Sequence, residues 1–105
     1  MGEQNKTQVI KYRASFLKEG DGLALWYRGG RITLSDDRFV LSIMGIKRIS
    51  VLYKEILKIE KERDCLLNCI VAHCIHYRIY VQVSTGNRDK LFDELKRRMR
   101  AVWEA

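Results

Sequence analysis

Apolar and polar residues alternate one by one in several short segments of this chain, with glycine or aspartate between the segments. A period of two places the apolar side chains of a segment on one face of a β-strand, so each segment predicts a half-buried strand. Turns are predicted at 19–22 and at Asp36-Asp37, and Gly29-Gly30 predicts a tight hairpin. Short strands at this spacing are typical of an antiparallel sandwich or barrel. The predicted strands cover residues 9–16, 23–27, 32–34, 39–43, 49–53 and 77–83.

The C-terminal segment changes to a helical period. Between Arg88 and Trp103, the apolar residues fall within an arc of roughly 120° of a helix; they are Leu91, Phe92, Leu95, Met99, Val102 and Trp103. Acidic residues lie in the first half and basic residues in the second, which suits the helix dipole. We therefore expect an α+β fold in a single domain over residues 1–105: a small antiparallel β-barrel or sandwich, closed by one C-terminal amphipathic helix.

The stretch from Asp64 to Cys74 is ambiguous. Its apolar residues fall at helical spacing, and Asp64 would cap the N-terminus of such a helix. The same apolar run fits a buried strand equally well. A short helix or irregular turn is the favoured interpretation.

Net charge indicates the chemistry of a partner. The chain has 20 Lys and Arg against 13 Asp and Glu, a formal net charge of +7, which favours an anionic protein face, lipid headgroup layer or nucleic acid. No apolar run approaches the roughly 20 residues needed to cross a bilayer, and the polar N-terminus lacks a secretory signal. We therefore expect a cytoplasmic protein. Nucleic acid is disfavoured because most aromatic residues occupy predicted core positions instead of a stacking surface.

Cysteines and histidines cluster between residues 65 and 76. The cluster consists of Cys65, Cys69, His73, Cys74 and His76. Zinc requires four such donors, but this spacing does not match the C-x2-C pairs of common zinc sites. We expect these cysteines to pack as small apolar residues, with no bound metal or cofactor. His73 and Cys74 are the local candidates for Cys/His catalysis, yet neighbours in a strand point to opposite faces. The expected protein is therefore not an enzyme.

Two motif patterns carry a family resemblance. The segments that carry the first resemblance are Gly30 to Leu41, Gly45 to Ile49 and Glu55-Ile56. Over residues 25–103 the chain resembles PH-like and GRAM-like domains, in which strands and glycine turns follow one another in the same order. Trp26, Gly30–Ser35, Arg38–Leu41 and Gly45–Ile49 are similar to the N-terminal part of CheF, the archaeal taxis adaptor family. The resemblance implies a PH-like fold and an adaptor between chemotaxis signalling proteins and the archaellum motor.

Basic residues form the candidate binding surface. The leading hypothesis is a protein-binding adaptor whose basic strand face and helix tip contact an acidic partner protein, at the sheet edge or the groove beside the helix. The alternative is a module that binds anionic lipid headgroups at a membrane surface, where basic residues at hairpin ends gather phosphates. The candidate partner-binding residues are Arg28, Arg31, Lys47, Arg48, Arg97 and Arg98.

Overall fold

The computed structural model describes residues 8–20, 23–62 and 69–104. The described chain forms a β-sheet followed by one C-terminal helix, with a 3-10 turn at Tyr53–Glu55. This arrangement confirms the α+β class that the sequence predicts. The elements are β1 (Ile10–Gly20), β2 (Leu23–Leu34), β3 (Arg38–Ile43), β4 (Ile46–Leu52), β5 (Ile56–Glu62), β6 (Cys69–Cys74), β7 (Arg78–Gln82) and α1 (Thr85–Trp103).

All seven strands belong to one sheet, in the order β4-β3-β2-β1-β7-β6-β5, and every neighbouring pair is antiparallel. The first strand is therefore central, and the edges are β4 and β5. No ladder joins these two edges within the described residues, so the sheet is open; of the predicted barrel or sandwich, the closed barrel is not formed.

The core lies on the inner face of the sheet. Alternate residues of each strand point inward, as in Phe39 and Leu41 of β3, and α1 adds Leu91 and Leu95, which are at most 1% exposed. Tyr53 lies under the helix and donates a hydrogen bond from its hydroxyl to the carbonyl oxygen of Ser35 at 2.8 Å. Burial raises the pKa of Tyr53 to about 12, which keeps that donor protonated.

The helix begins at Thr85, three residues before the predicted start at Arg88. Ser84 is extended at the N-cap, and its carbonyl accepts hydrogen bonds from the backbone N–H groups of Asn87 and Arg88. Small polar residues are common both in loops and in the first turn of a helix, so the residue types before Arg88 do not show where the helix begins. Within the described residues, α1 has no apolar stretch of the length that a bilayer crossing requires.

The Gly29-Gly30 hairpin prediction is wrong. β2 continues through both glycines, and the ladder with β1 shifts register between Ala14 and Phe16. Two residues of β2, Arg28 and Gly29, therefore face one residue of β1, which is the geometry of a β-bulge. Gly29 has a φ of +71°, the left-handed conformation that glycine adopts without steric cost. A bulge and a hairpin turn need the same residue type here, so the local sequence alone does not separate them.

Gly30 allows a close approach between strands. A Cβ built at this position would lie 2.5 Å from the carbonyl oxygen of Ser42 and 2.8 Å from Cε1 of Phe16. We expect Gly30→Ala to lower the free energy of unfolding by about 1–3 kcal/mol, because the backbone oxygen cannot move away without bending β3. Gly86→Ala is the control: a Cβ there meets nothing within 4 Å, so it should add about 0.4–1 kcal/mol. Urea denaturation of both variants measures the difference; equal stability would contradict the tight packing at Gly30.

The helix or irregular turn favoured for Asp64–Cys74 is wrong where the structure describes it. Cys69–Cys74 is a strand, and residues 64–68 lie outside the described residues. Its first four residues are all buried, so both faces of the strand are covered. Such strands carry a continuous apolar run instead of an alternation. The Asp36-Asp37 turn is confirmed, with Ser35 N–H donating to the carbonyl of Arg38, whereas Asp21-Gly22 lies outside the described residues.

Candidate binding surface

A row of basic side chains crosses the outer face of the sheet. In the strand ladders, Arg13 of β1 lies opposite Arg31 of β2, Arg31 opposite Ser42 of β3, and Ser42 opposite Lys47 of β4. Residues directly opposite in an antiparallel ladder point to the same face, with Cβ atoms roughly 5 Å apart. We call Arg13, Arg31, Ser42 and Lys47 the basic row. Its three cationic side chains are exposed.

Within the described residues, no carboxylate pairs with the basic row. The strand segments that carry it, 10–16, 30–34, 38–43 and 46–52, contain no Asp or Glu. Arg13, Arg31 and Lys47 form no salt bridge with any described residue. Like charges directly opposite each other destabilise a sheet, so Arg13 beside Arg31 disfavours folding locally. Fold stability therefore does not explain this arrangement.

Several basic residues elsewhere on the described chain have acidic neighbours. Arg38 donates to Asp37 at 3.0 Å, Lys61 to Asp89 at 3.0 Å, and Arg78 to Glu19 at 2.6 Å. These exposed pairs cancel charge locally, although each stabilises the fold only slightly. The positive charge of the basic row, by contrast, is not compensated by a salt bridge within the described residues, so the row attracts an anionic group.

An open depression of about 650 Å³ lies beside the basic row. Arg13 and Arg31 line it together with the hydroxyl-bearing Ser15, Ser42 and Ser84. The Ser15 hydroxyl accepts a long hydrogen bond, 3.4 Å, from the Gly29 backbone N–H at the bulge. Guanidinium and hydroxyl donors around one space suit an oxyanion, either a carboxylate or a phosphate.

Exposed apolar side chains border the basic row at the β3–β4 turn. Met44 and Gly45 form this turn with φ angles of 51° and 80°. Met44 is 92% exposed, and Ile46, next to Lys47, is 55% exposed. A methionine in the left-handed region is uncommon, and its side chain projects from the tip of the hairpin. The surface therefore joins positive charge with apolar groups that a partner would cover.

Four of the predicted candidates lie on the sheet, and the other two lie on the helix. Arg31 and Lys47 belong to the basic row; Arg28 is exposed at the β2 bulge, and Arg48 is exposed where the β3–β4 ladder shifts register. Sequence reasoning missed Arg13. Its alternation with Tyr12 and Ala14 was a signal for an outward position, but the register that pairs it with Arg31 is long-range information.

The helix residues Arg97 and Arg98 do not join the basic row, because α1 packs against the inner side of the sheet, on the 3-10 turn, β5 and β6. Arg97 is exposed and donates from Nε to Glu94 at 3.2 Å. Hydrogen bonds from Arg97 and Arg98 hold the pKa of Glu94 below its usual range.

Arg98 requires a correction, because only 3% of this residue is exposed and it cannot bind a partner directly. Its guanidinium donates to Glu94 at 2.6 Å, to the Ser35 carbonyl at 2.9 Å and to the Gln8 carbonyl. It therefore connects the helix to the β2–β3 turn and to the residues before β1.

The cysteine and histidine cluster is dispersed. Cys69 and Cys74 are buried, His73 contacts Glu60 at 2.5 Å, His76 is exposed in the β6–β7 turn, and Cys65 lies outside the described residues. In the described part of the chain, no group of three or more His, Cys, Asp or Glu side chains is arranged to hold a metal ion. Burial raises the pKa of the Cys74 thiol, which makes it a poor nucleophile.

The resemblance to PH-like domains and to CheF depends on the motifs within residues 25–103. Comparison with protein-family models and with curated proteins finds no match to this chain.

Proposed function

We propose that this chain is a non-catalytic binding module that docks through its basic row onto an acidic surface of a partner protein. The observation that carries the proposal is the cross-strand alignment of Arg13, Arg31 and Lys47, none of which forms a salt bridge with a carboxylate in the described part of the chain. The strand order and the C-terminal helix support a PH-like interpretation. The similarity to CheF supports a taxis signalling or archaellum motor protein as the partner.

The physics of the row favours rapid docking. Its cations are held on paired strands, so little conformational entropy of the backbone is lost when a partner binds. Their uncompensated field attracts a negative surface before contact and raises the association rate. Met44 and Ile46, both largely exposed, supply apolar area whose burial retains the complex once formed. Charge should therefore control association, and apolar contact should control dissociation.

A second candidate function is binding to an anionic lipid surface. Met44 at the tip of the β3–β4 turn, with Lys47 close behind it, is the observation that favours it. An apolar tip that enters the headgroup region beside basic side chains is a recognised mode of peripheral membrane binding. The shape of the basic row is less suited to this role, because its cations extend across the sheet and away from the tip.

A charge-reversal variant tests the proposal. A partner is first captured from a lysate of the native organism on the immobilised protein, and binding kinetics are then measured with the purified partner. We expect Arg31→Glu combined with Lys47→Glu to slow association by about 10–100-fold at low salt, because the steering field is reversed. The dissociation rate should change by less than about threefold, since the apolar contacts remain.

The matched control is Lys54→Glu with Lys90→Glu. Both lysines are exposed and lie outside the row, Lys54 in the 3-10 turn and Lys90 in α1. Because two cations become glutamates in each case, this variant has the same net charge as the row variant. We expect its association rate to stay within about threefold of the unmodified protein. Equal slowing by both variants would show that net charge alone matters, and the basic row would lose its role. Salt-sensitive binding to phosphatidylserine vesicles that only the row variant loses, with no protein captured, would select the lipid candidate instead.

A further inference from the structure

A second surface lies between the C-terminal half of α1 and edge strand β5. This open groove has a volume of about 560 Å³. Its helical wall has the spacing i, i+3, i+4, i+7, so those side chains form one stripe along α1. We call the space the helix–edge groove; it is lined by Leu57, Lys58, Ile59, Lys96, Met99, Arg100 and Trp103.

Large apolar side chains in this groove remain exposed. Leu57 is 61% exposed, because the β5–β6 ladder shifts register between Ile56 and Lys58 and leaves Leu57 outside the regular pairing. Trp103, the last residue of the helix, is 60% exposed. Met99 is half-buried and packs against the core. Grouped apolar residues of this size on a surface mark interaction sites more often than isolated ones do.

Cations surround the apolar centre of the groove. Arg100 forms no salt bridge with a described residue, Lys96 lies over the Phe92 ring at 5.4 Å, and Lys58 is 3.9 Å from Glu60. A groove of this charge on a chain of net charge +7 repels a second copy of the same chain. Charge complementarity therefore selects an acidic occupant with apolar side chains.

We infer that the helix–edge groove binds an acidic amphipathic helix of a second protein. The apolar residues of that helix would contact Leu57, Met99 and Trp103, and its carboxylates would face Lys58, Lys96 and Arg100. No residue of the groove belongs to the basic row, so the two surfaces can be occupied together. The module then joins two partners, and the groove can function whatever occupies the basic row.

Trp103 reports directly on occupancy of the groove. Trp26→Phe leaves Trp103 as the one tryptophan of the chain. The probe is a synthetic peptide of about 16 residues with leucine at i, i+4, i+7 and i+11 and mainly glutamate elsewhere. We expect saturable binding, a blue shift of Trp103 emission and at least a threefold fall in its quenching by acrylamide. If Trp26→Phe does not fold, the difference between the unmodified protein and Trp103→Phe supplies the same signal.

Variants separate this inference from the proposed function. We expect Leu57→Glu combined with Arg100→Glu to lower the affinity for the peptide at least tenfold. Arg31→Glu combined with Lys47→Glu should leave that affinity within about twofold of the unmodified protein. No protection of Trp103 at millimolar peptide, or equal protection by a peptide with lysine in place of glutamate, would overturn the inference. Protection by anionic vesicles alone would assign the groove to a membrane. Concentration-dependent sedimentation with protection of Trp103 would assign it to a second copy of the chain; both results overturn the acidic-helix assignment.

Discussion

Arg98→Ala should lower the free energy of unfolding by about 3–5 kcal/mol, the usual cost when one partner of a buried ion pair is removed. The Arg98 side chain is 2% exposed and its partner Glu94 is 18% exposed. Alanine would leave Glu94 without this partner and would remove one hydrogen bond from the Gln8 carbonyl and one from the Ser35 carbonyl, which keeps its bond from the Tyr53 hydroxyl.

Arg97→Ala is the control for this prediction, because Arg97 contacts the same carboxylate from an exposed position. It should change stability by less than about 1 kcal/mol, as exposed ion pairs do. Arg98→Lys should recover only part of the loss, since an ammonium lacks the planar fork that reaches several acceptors. Urea denaturation measures all three variants. Equal, small losses for Arg98→Ala and Arg97→Ala would mean that the buried network does not hold the helix to the sheet.

We expect Leu95→Ala to lower the free energy of unfolding by about 2–5 kcal/mol. Leu95 is 1% exposed and lies in the central turn of α1, against the core of the sheet. Truncation removes buried apolar area and leaves a cavity that neighbours on strands cannot readily fill. For a domain of this size the midpoint of thermal unfolding should fall by about 4–8 °C for each kcal/mol lost.

Lys90→Ala provides the comparison, since Lys90 is exposed on the same helix and alanine favours helix formation. Its stability should stay within about 0.5 kcal/mol of the unmodified protein. A more severe substitution, Leu95→Asp, should prevent cooperative melting, because it places a charge in the core. A Leu95→Asp protein that melts like the unmodified one would contradict the packing of α1 on the sheet.

Local periodicity predicted the parts of the fold that depend on one face being buried. The strands around Phe16, Phe39 and Val81, and the helix around Leu95, are where the alternation and the helical stripe place them. Elements buried on both faces lack such a pattern, which is why the run ending at Cys74 resembles a helix or turn in the sequence. Between Gly29 and Gly30, the deciding fact is the pairing with β1, which the local sequence does not contain.

The candidate site was predictable in the same partial way. The sequence predicts Arg31 and Lys47 at hairpin ends, just before strands, but the register that aligns them with Arg13 depends on three separate ladders. Arg98 carried a signal: it is i+7 from Leu91 and i+3 from Leu95, on the buried side of the helix. Arginine is seldom buried without partners, so the residue type indicated an exposed side chain instead. Glu94 is a local partner on the same helix, but the other two partners are backbone carbonyls that only the tertiary fold brings near.

The central position of β1 has a consequence for how the chain folds. One edge of β1 pairs with β2, which follows it directly in the sequence. Its other edge pairs with β7, so Phe16 contacts Val81, which is far from it in the sequence. Contacts between residues so distant in sequence slow folding, because much of the chain must be ordered before they form. During synthesis on the ribosome, the β1–β4 segment emerges first and exposes an unpaired strand edge until β7 follows. Such an unpaired edge is prone to aggregate until β7 covers it.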